Sequence, residues 1–385
     1  RRDLQVRRAT ALANAGRCRD AAPLFLAAAE GAPPAVALDL RRRATEQYLV
    51  GGHLEEGTSA LVPLLAEVGL GYPATTARAV MTVAALYARI RLRGQAFQER
   101  AAAEIPPEVL TRIDLCLSVS KALTDVDPLR STVFLFRSLL LSLDAGEPSR
   151  VALGLSAFGL ISAFQGTPAA IEEGSRLLAR GEAIAERLGD GRLGSVIRIY
   201  VGGAHLVRGA WREALDYYDA TRRQLEERCV GVEMERNLAQ AGAVVALEAL
   251  GRFVELAERT ASWRRSATAV GNLFASVSAT IASAVPLLAA DDAAEARRCV
   301  REVVARWARG ARGAMHVQHL YALRLETLAD LYEGEADAAR ARLLAEWRGI
   351  ERSQQLRVQP ARMDMLLLRA RTAIAAAAAR RSGRE

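Results

Sequence analysis

The sequence predicts an all-α fold, an α-solenoid of about nine antiparallel helix pairs, and three observations predict it. Apolar residues recur at spacings of three and four and rarely alternate at two, the pattern of helices with one oily stripe. Of the 385 residues 51% are hydrophobic but only 5% are aromatic, and the apolar part is mostly alanine and leucine, which suits closely packed helices better than sheets. Glycines punctuate the chain at Gly166, Gly209, Gly251 and Gly334, with a weaker Ala289-Ala290-Asp291-Asp292 turn between the last two, so one unit repeats at about 40 residues.

The clearest unit runs from Gly209 to Ala257 and reads as two copies. Gly209-Ala210-Trp211 opens the first, where Trp211, Ala214 and Tyr218 stack large, small and large on one stripe; Gly251-Arg252-Phe253 opens the second, with Ala257 expected at the small position. A glycine ending one helix, a bulky residue opening the next and an alanine where backbones approach together resemble the tetratricopeptide repeat.

Taken in order, Leu4 to Ala15 carries a helical stripe that stops at Gly16, and Ala21 with Phe25 repeats the small-large spacing. Pro33-Pro34 opens a long helix through Tyr48 to Gly51-Gly52, and Leu54 to Val68 returns. Pro73 starts a helix reaching about Leu92. Residues 93–107 are irregular and read as an elaborated loop ending at Ile105-Pro106-Pro107. Glu108 to Leu123 and Leu129 to Leu143 follow, each stopped by a proline turn. From Ser149 the period settles, with Gly189-Asp190-Gly191 as an internal turn. About eighteen helices fit, with no compositional break, so residues 1–385 are expected to form a single helical-repeat array. Residues 360–385 read as a capping helix with a basic tail. The start Arg1-Arg2-Asp3, without methionine, suggests a piece of a longer protein.

The charge of +8 invites a nucleic-acid partner. Lys121 is the sole lysine, however, and the arginines spread over nearly every helix instead of forming a block, which argues for solvated faces and against a nucleic-acid groove. Cys18, Cys116, Cys229 and Cys299 lie far apart with no CxxC pair, as reduced packing residues of a cytoplasmic protein would. No apolar run is long enough to predict a membrane span.

Catalytic patterns are absent: there is no GxxxxGK[ST] loop, HRD or DFG element, GxSxG elbow or HExxH. His316 and His319 share a helical spacing but lack a third ligand, so no metal is expected, nor a cofactor. The acidic pairs Asp125 with Asp127, Asp291 with Asp292, and Glu172 with Glu173 fall at turns or early helix positions, where carboxylates cap backbone donors. Trp211 and Trp307 read as packing. Trp263 and Trp347, each followed by an arginine, Arg264 and Arg348, are the candidate exposed residues of a partner surface.

Two stretches carry a more specific likeness. Glu46-Gln47-Tyr48-Leu49 leads to Gly52-His53, Gly57, Leu65, Val68-Gly69-Leu70 and Pro73; later come Phe97, Glu104-Ile105-Pro106-Pro107-Glu108, Arg112-Ile113-Asp114, Leu123, Asp127-Pro128, Arg130, Leu139-Leu140-Leu141 and Ala145-Gly146-Glu147-Pro148. Over about residues 40 to 150 the chain resembles the C-terminal helical region of large bacterial serine/threonine protein kinases of the eukaryotic-like type, in which a kinase domain and a regulatory NTPase module precede a tetratricopeptide-like tail. The resemblance implies a noncatalytic sensory or docking segment, with a protein, a peptide or the attached kinase and NTPase domains held in the superhelix groove. Two other classes stay open: a sensor whose repeats bind a small-molecule inducer of a signal-transduction NTPase, and a nucleic-acid-binding helical repeat.

Overall fold

The computed structural model describes residues 1–124, 127–229, 231–308 and 315–382. These residues contain nineteen α-helices, two short 3-10 turns and no strand. Contacts divide the chain into two compact units, Arg1–Ala243 with Val270–Asn272, and Val244–Ala269 with the chain from Leu273 onward.

The first unit holds α1 (Arg2–Asn14), α2 (Cys18–Ala29), α3 (Pro34–Val50), α4 (Leu54–Glu67), α5 (Thr76–Arg93), α6 (Pro107–Leu123), α7 (Pro128–Ala145), α8 (Pro148–Ala163), α9 (Pro168–Leu188), α10 (Gly191–Val207), α11 (Trp211–Arg228) and the start of α12 (Glu233–Ala249). The second holds the rest of α12 with α13 (Phe253–Ala269), α14 (Leu273–Ala282), α15 (Ala284–Ala289), α16 (Ala293–Ala308), α17 (Val317–Tyr332), α18 (Ala336–Arg352) and α19 (Gln359–Ser382). α14 and α15 are one rod broken at Ser283, because Pro286 has no N–H to return to the carbonyl of Ala282. Taken together they bring the rods to the expected eighteen.

Local chemistry sets the ends. Proline opens α3, α6, α7, α8 and α9, where its missing donor costs nothing. α5 begins later than Pro73, since Thr75 takes the cap by accepting from the Arg78 N–H at 3.2 Å. Neighbours in sequence pack as antiparallel pairs: α1 with α2, α3 with α4, α6 with α7, α8 with α9, α10 with α11, and in the second unit α16 with α17 and α17 with α18. α5 departs from this rule and packs chiefly on α7. Residues 94–106 after it carry only the 3-10 turn Ala102–Glu104 and cross the end of α7, where the Arg100 N–H donates to the Gly146 carbonyl at 3.0 Å. Gly146 is obligatory there twice over: its φ is 84°, and a Cβ would lie 2.1 Å from the Gln98 carbonyl oxygen.

Helix-to-helix contacts in the first unit are built on glycines inside helices. A Cβ on Gly174 of α9 would stand 2.4 Å from the Gly159 carbonyl of α8, so the two backbones nearly touch. Tyr218, 4% exposed, wedges between α10 and α12, where a Cβ on Gly202 would meet its ring at 2.9 Å and one on Gly242 at 2.1 Å. In the first copy of the sequence unit Ala214 and Tyr218 are buried as expected and Trp211 is half-buried. The second copy corrects the register by one: Ala257 is exposed and the residue that aligns with Ala214 is Leu256, buried with Thr260, Trp263 and Ala267 on one stripe. The first unit also comes back on itself, since a Cβ on Gly231 would lie 2.4 Å from Asn14 at the end of α1, and one on Gly16 within 3.1 Å of Glu233.

Candidate functional site

α6 carries a polar stripe into the first unit. Asp114, Ser118 and Lys121 follow one another at spacings of four and three, so they share a face. Asp114 accepts two bonds from the Arg150 guanidinium of α8, both at 2.7 Å, and Glu147 accepts a third at 3.1 Å. Ser118 donates to Glu46 of α3 at 3.2 Å and accepts from Arg42 at 3.3 Å. Arg42 also donates to Glu46 at 3.1 Å and to Asp39 at 2.8 Å. From α10, Arg192 reaches the buried carboxylate of Glu235 on α12 at 3.4 Å.

Lys121 stands among these groups without a hydrogen bond or ion pair to any described residue, and so does the hydroxyl of Tyr200 on α10, apart from their mutual field. Both side chains keep partial access to solvent although protein surrounds them. Burial would lower the Lys121 ammonium, but Tyr200, Glu235 and Glu46 together hold it above the usual lysine range, against Arg192. Burial pushes the Tyr200 hydroxyl up, against the pull of Lys121 and with help from Glu235. The result is a polar cluster to which four helices distant in sequence, α3, α6, α10 and α12, contribute. Two donors, the ammonium and the phenol, have no acceptor among the described residues and could bind a carbonyl or carboxylate, and Glu46 and Glu235 lie in their field as acceptors for an amide or amine.

Two of the buried thiols are poor nucleophiles. Burial, with Glu233, pushes Cys18 up to about 11, and burial pushes Cys116 up to about 12, so both stay protonated at neutral pH. Cys18, Cys116 and Cys299 are buried and Cys229 is half-buried. His316 is buried, with Trp307 donating to its Nδ1 at 3.2 Å, while its own backbone N–H donates to His319 at 3.0 Å. Asp127 caps α7 by accepting from the Arg130 N–H, and Asp292 accepts from Glu295; Asp125 lies outside the described residues. Asp291 instead accepts from the Tyr332 hydroxyl at 2.6 Å, and Glu173 pairs with Arg91.

The tryptophans expected on a partner surface are packing residues. Trp263 is 6% and Trp347 8% exposed, and only Arg264 and Arg348 beside them face solvent. Trp347 sits in a cluster with Leu320, Leu343, Ile350, Met365 and Leu368, donates to Glu351 at 2.8 Å, and lies under the Arg369 guanidinium at 4.4 Å. Each follows the stripe of its helix: Ala339, Leu343, Trp347 and Ile350 recur at three and four. That spacing outranks the arginine that follows. Of Glu46, Lys121, Tyr200 and Glu235, Glu46 falls in a stretch the sequence likeness singled out and Lys121 is the sole lysine, but no motif joins the four.

No helix among the described residues is long and apolar enough to cross a membrane. No protein-family model matches the chain, and no curated protein does. Solved structures do. A Rap protein complexed with competence and sporulation factor aligns at 10% identity and a TM-score of 0.46, over 88% of this chain and 99% of that one. A signal-transduction ATPase with numerous domains from Pyrococcus horikoshii, bearing a tetratricopeptide repeat sensor, aligns at 10% identity and a TM-score of 0.41, over 90% of this chain and 55% of that one. Aspartyl phosphate phosphatase F from Bacillus subtilis aligns at 7% identity and a TM-score of 0.45, over 88% of this chain and 95% of that one.

Proposed function

We propose that the chain is a noncatalytic docking and regulatory segment, and that the interior of its first unit receives a stretch of protein. The observation that carries this reading is the Lys121 ammonium, enclosed, charged and, among the described residues, without a direct partner beside a Tyr200 hydroxyl that has none among them either. A charge that served only to hold the fold would be paired, because leaving one desolvated and unpaired is costly. A peptide backbone supplies the carbonyls that these donors lack and the amides that Glu46 and Glu235 can accept. Recognition inside stacked helix pairs runs through side chains, since helices have no free backbone edge to offer. The setting we favour is a bacterial multidomain signalling protein in which kinase and NTPase modules precede this segment, and those modules are the first partners to try. That setting rests on the sequence likeness over about residues 40 to 150.

The sole lysine makes the test selective. An amine-reactive ester acylates only Lys121 and the chain's first amino group, and mass spectrometry reads the two separately. Kinase or NTPase module added in excess should slow acylation at Lys121 several-fold and leave the other amine unchanged. An unchanged rate at Lys121, with binding shown by another method, would place the docking surface elsewhere. A small-molecule inducer would instead protect Lys121 and raise the melting temperature with no protein partner present.

A further inference from the structure

We propose that the outward face of α5 is a docking seam for an acidic amphipathic helix of a partner protein. α5 packs chiefly on α7 and leaves Arg78, Met81, Ala85 and Arg89 exposed. A groove of about 610 Å3 runs along α5 beside its contact with α7, and the α5 residues lining it are Arg78, Met81, Thr82, Ala85, Leu86 and Arg89. Their spacing is three, one, three, one and three, a single helical stripe, apolar or small in the middle and basic at both ends. It extends for about 16 Å, or three turns, at the rise of a helix. Met81 is 63% exposed in the centre of it, and Ala85 has the small side chain that lets a second backbone come close.

The opposite wall names the charge of the visitor. Gly71, Tyr72, Pro73 and Arg137 line it, and no carboxylate lines the groove. Arg137 lies half-buried over the Phe134 ring, with its only polar contact among the described residues the Gly71 carbonyl. Burial holds this guanidinium below its usual range against an opposing pull from Cys116, and no carboxylate contributes to the balance. Arg78 has no side-chain partner among the described residues either, and Arg89 stands 4.0 Å from Asp144 at the limit of an ion pair. Three guanidiniums around an apolar strip match a helix with leucines on one face and carboxylates at its ends and flank. A second copy of α5 fits poorly, since antiparallel packing would set Arg78 against Arg89.

The test uses a fluorescein-labelled synthetic helix of about 15 residues, leucine and alanine on one face and glutamate at both ends, with a twin carrying lysine for glutamate. Anisotropy at low salt should show saturable binding of the acidic helix at least about tenfold tighter than of its twin. Met81→Asp should weaken it by a similar factor, and Arg78→Glu should do so while improving binding of the lysine twin. Both sites are exposed, so melting curves of the variants should match the parent. The proposal is overturned by no saturable binding at millimolar peptide, by equal affinity for the twins, or by indifference to both substitutions. It is equally overturned if sedimentation shows a dimer that Met81→Asp dissolves, or if duplex DNA displaces the peptide.

Discussion

Asp330 and Lys121 are both charged groups among packed helices, one in each unit, and their surroundings could hardly differ more. Asp330 on α17, with a side chain 5% exposed, accepts from Arg297 of α16 at 2.8 Å and from Arg342 of α18 at 2.7 Å. Arg297 extends the cluster to Glu326 at 3.2 Å and Glu333 at 2.5 Å. Every charge there has an opposite within reach, and three successive helices are tied by it. Lys121 has acidic neighbours in its field and no bond to any described residue. The first arrangement holds helices in register. The second leaves an ammonium unbonded among the described residues, and under the proposed function that donor is met by a partner.

Substitutions should separate the two roles, and the largest effect belongs to Asp330. Asp330→Ala takes the shared buried carboxylate from two arginines, leaving Arg297 with Glu326 and Glu333 and Arg342 with Glu326 at 3.9 Å, and we expect a loss of about 2 kcal/mol in urea unfolding. The effect should depend on pH with a definite sign. Burial would raise the Asp330 carboxyl, but hydrogen bonds from Arg342 and Arg297 outweigh it and keep it below the ordinary value. Its stabilisation is therefore complete above the unfolded carboxyl value of about 4 and is lost as pH falls through the folded one, so parent and variant should converge in that acid window. A pH-independent gap would show that Asp330 acts by shape.

A middle effect is expected at Glu46, which ties Arg42 and Ser118 while contributing to the field on Lys121. Glu46→Gln should cost about 1 kcal/mol and, by removing one of the charges that raise the ammonium, speed acylation of Lys121 at fixed pH. Slower acylation would contradict the assigned field. The smallest effect is the most telling. Lys121→Met should alter stability by no more than about 0.5 kcal/mol, because no bond is broken, yet abolish any protection conferred on the interior by a bound partner, followed by hydrogen exchange of α6. A loss comparable to that of Asp330→Ala would turn Lys121 into a structural group and dissolve the contrast.

The order of rods was legible because its causes are local: proline at helix starts, glycine at turns, and an apolar stripe at three and four. Glycines inside helices were less so. Gly159, Gly174, Gly202 and Gly242 look like weak points in a one-dimensional reading, but they are where two backbones or a tyrosine ring come in, and only the facing helix reveals that. The second copy of the unit slipped by one residue because alanine was sought at Ala257, whereas leucine at Leu256 does the same work in another notch. The interior site was hidden for a related reason. Glu46, Lys121, Tyr200 and Glu235 are separated by 75, 79 and 35 positions, and nothing at any one of them announces the others. The division near Ala243 is a matter of contact density and leaves no trace in composition.

The return of the first unit on itself, at Gly231 against Asn14 and Gly16 against Glu233, changes how that unit should come apart. An open stack of hairpins has two free ends, and opening spreads inward from either one. Where the first hairpin is also braced by the last, neither is terminal in the energetic sense. The number of hairpins is then fixed by closure, and duplicating or deleting one would break the circle instead of merely lengthening or shortening a rod.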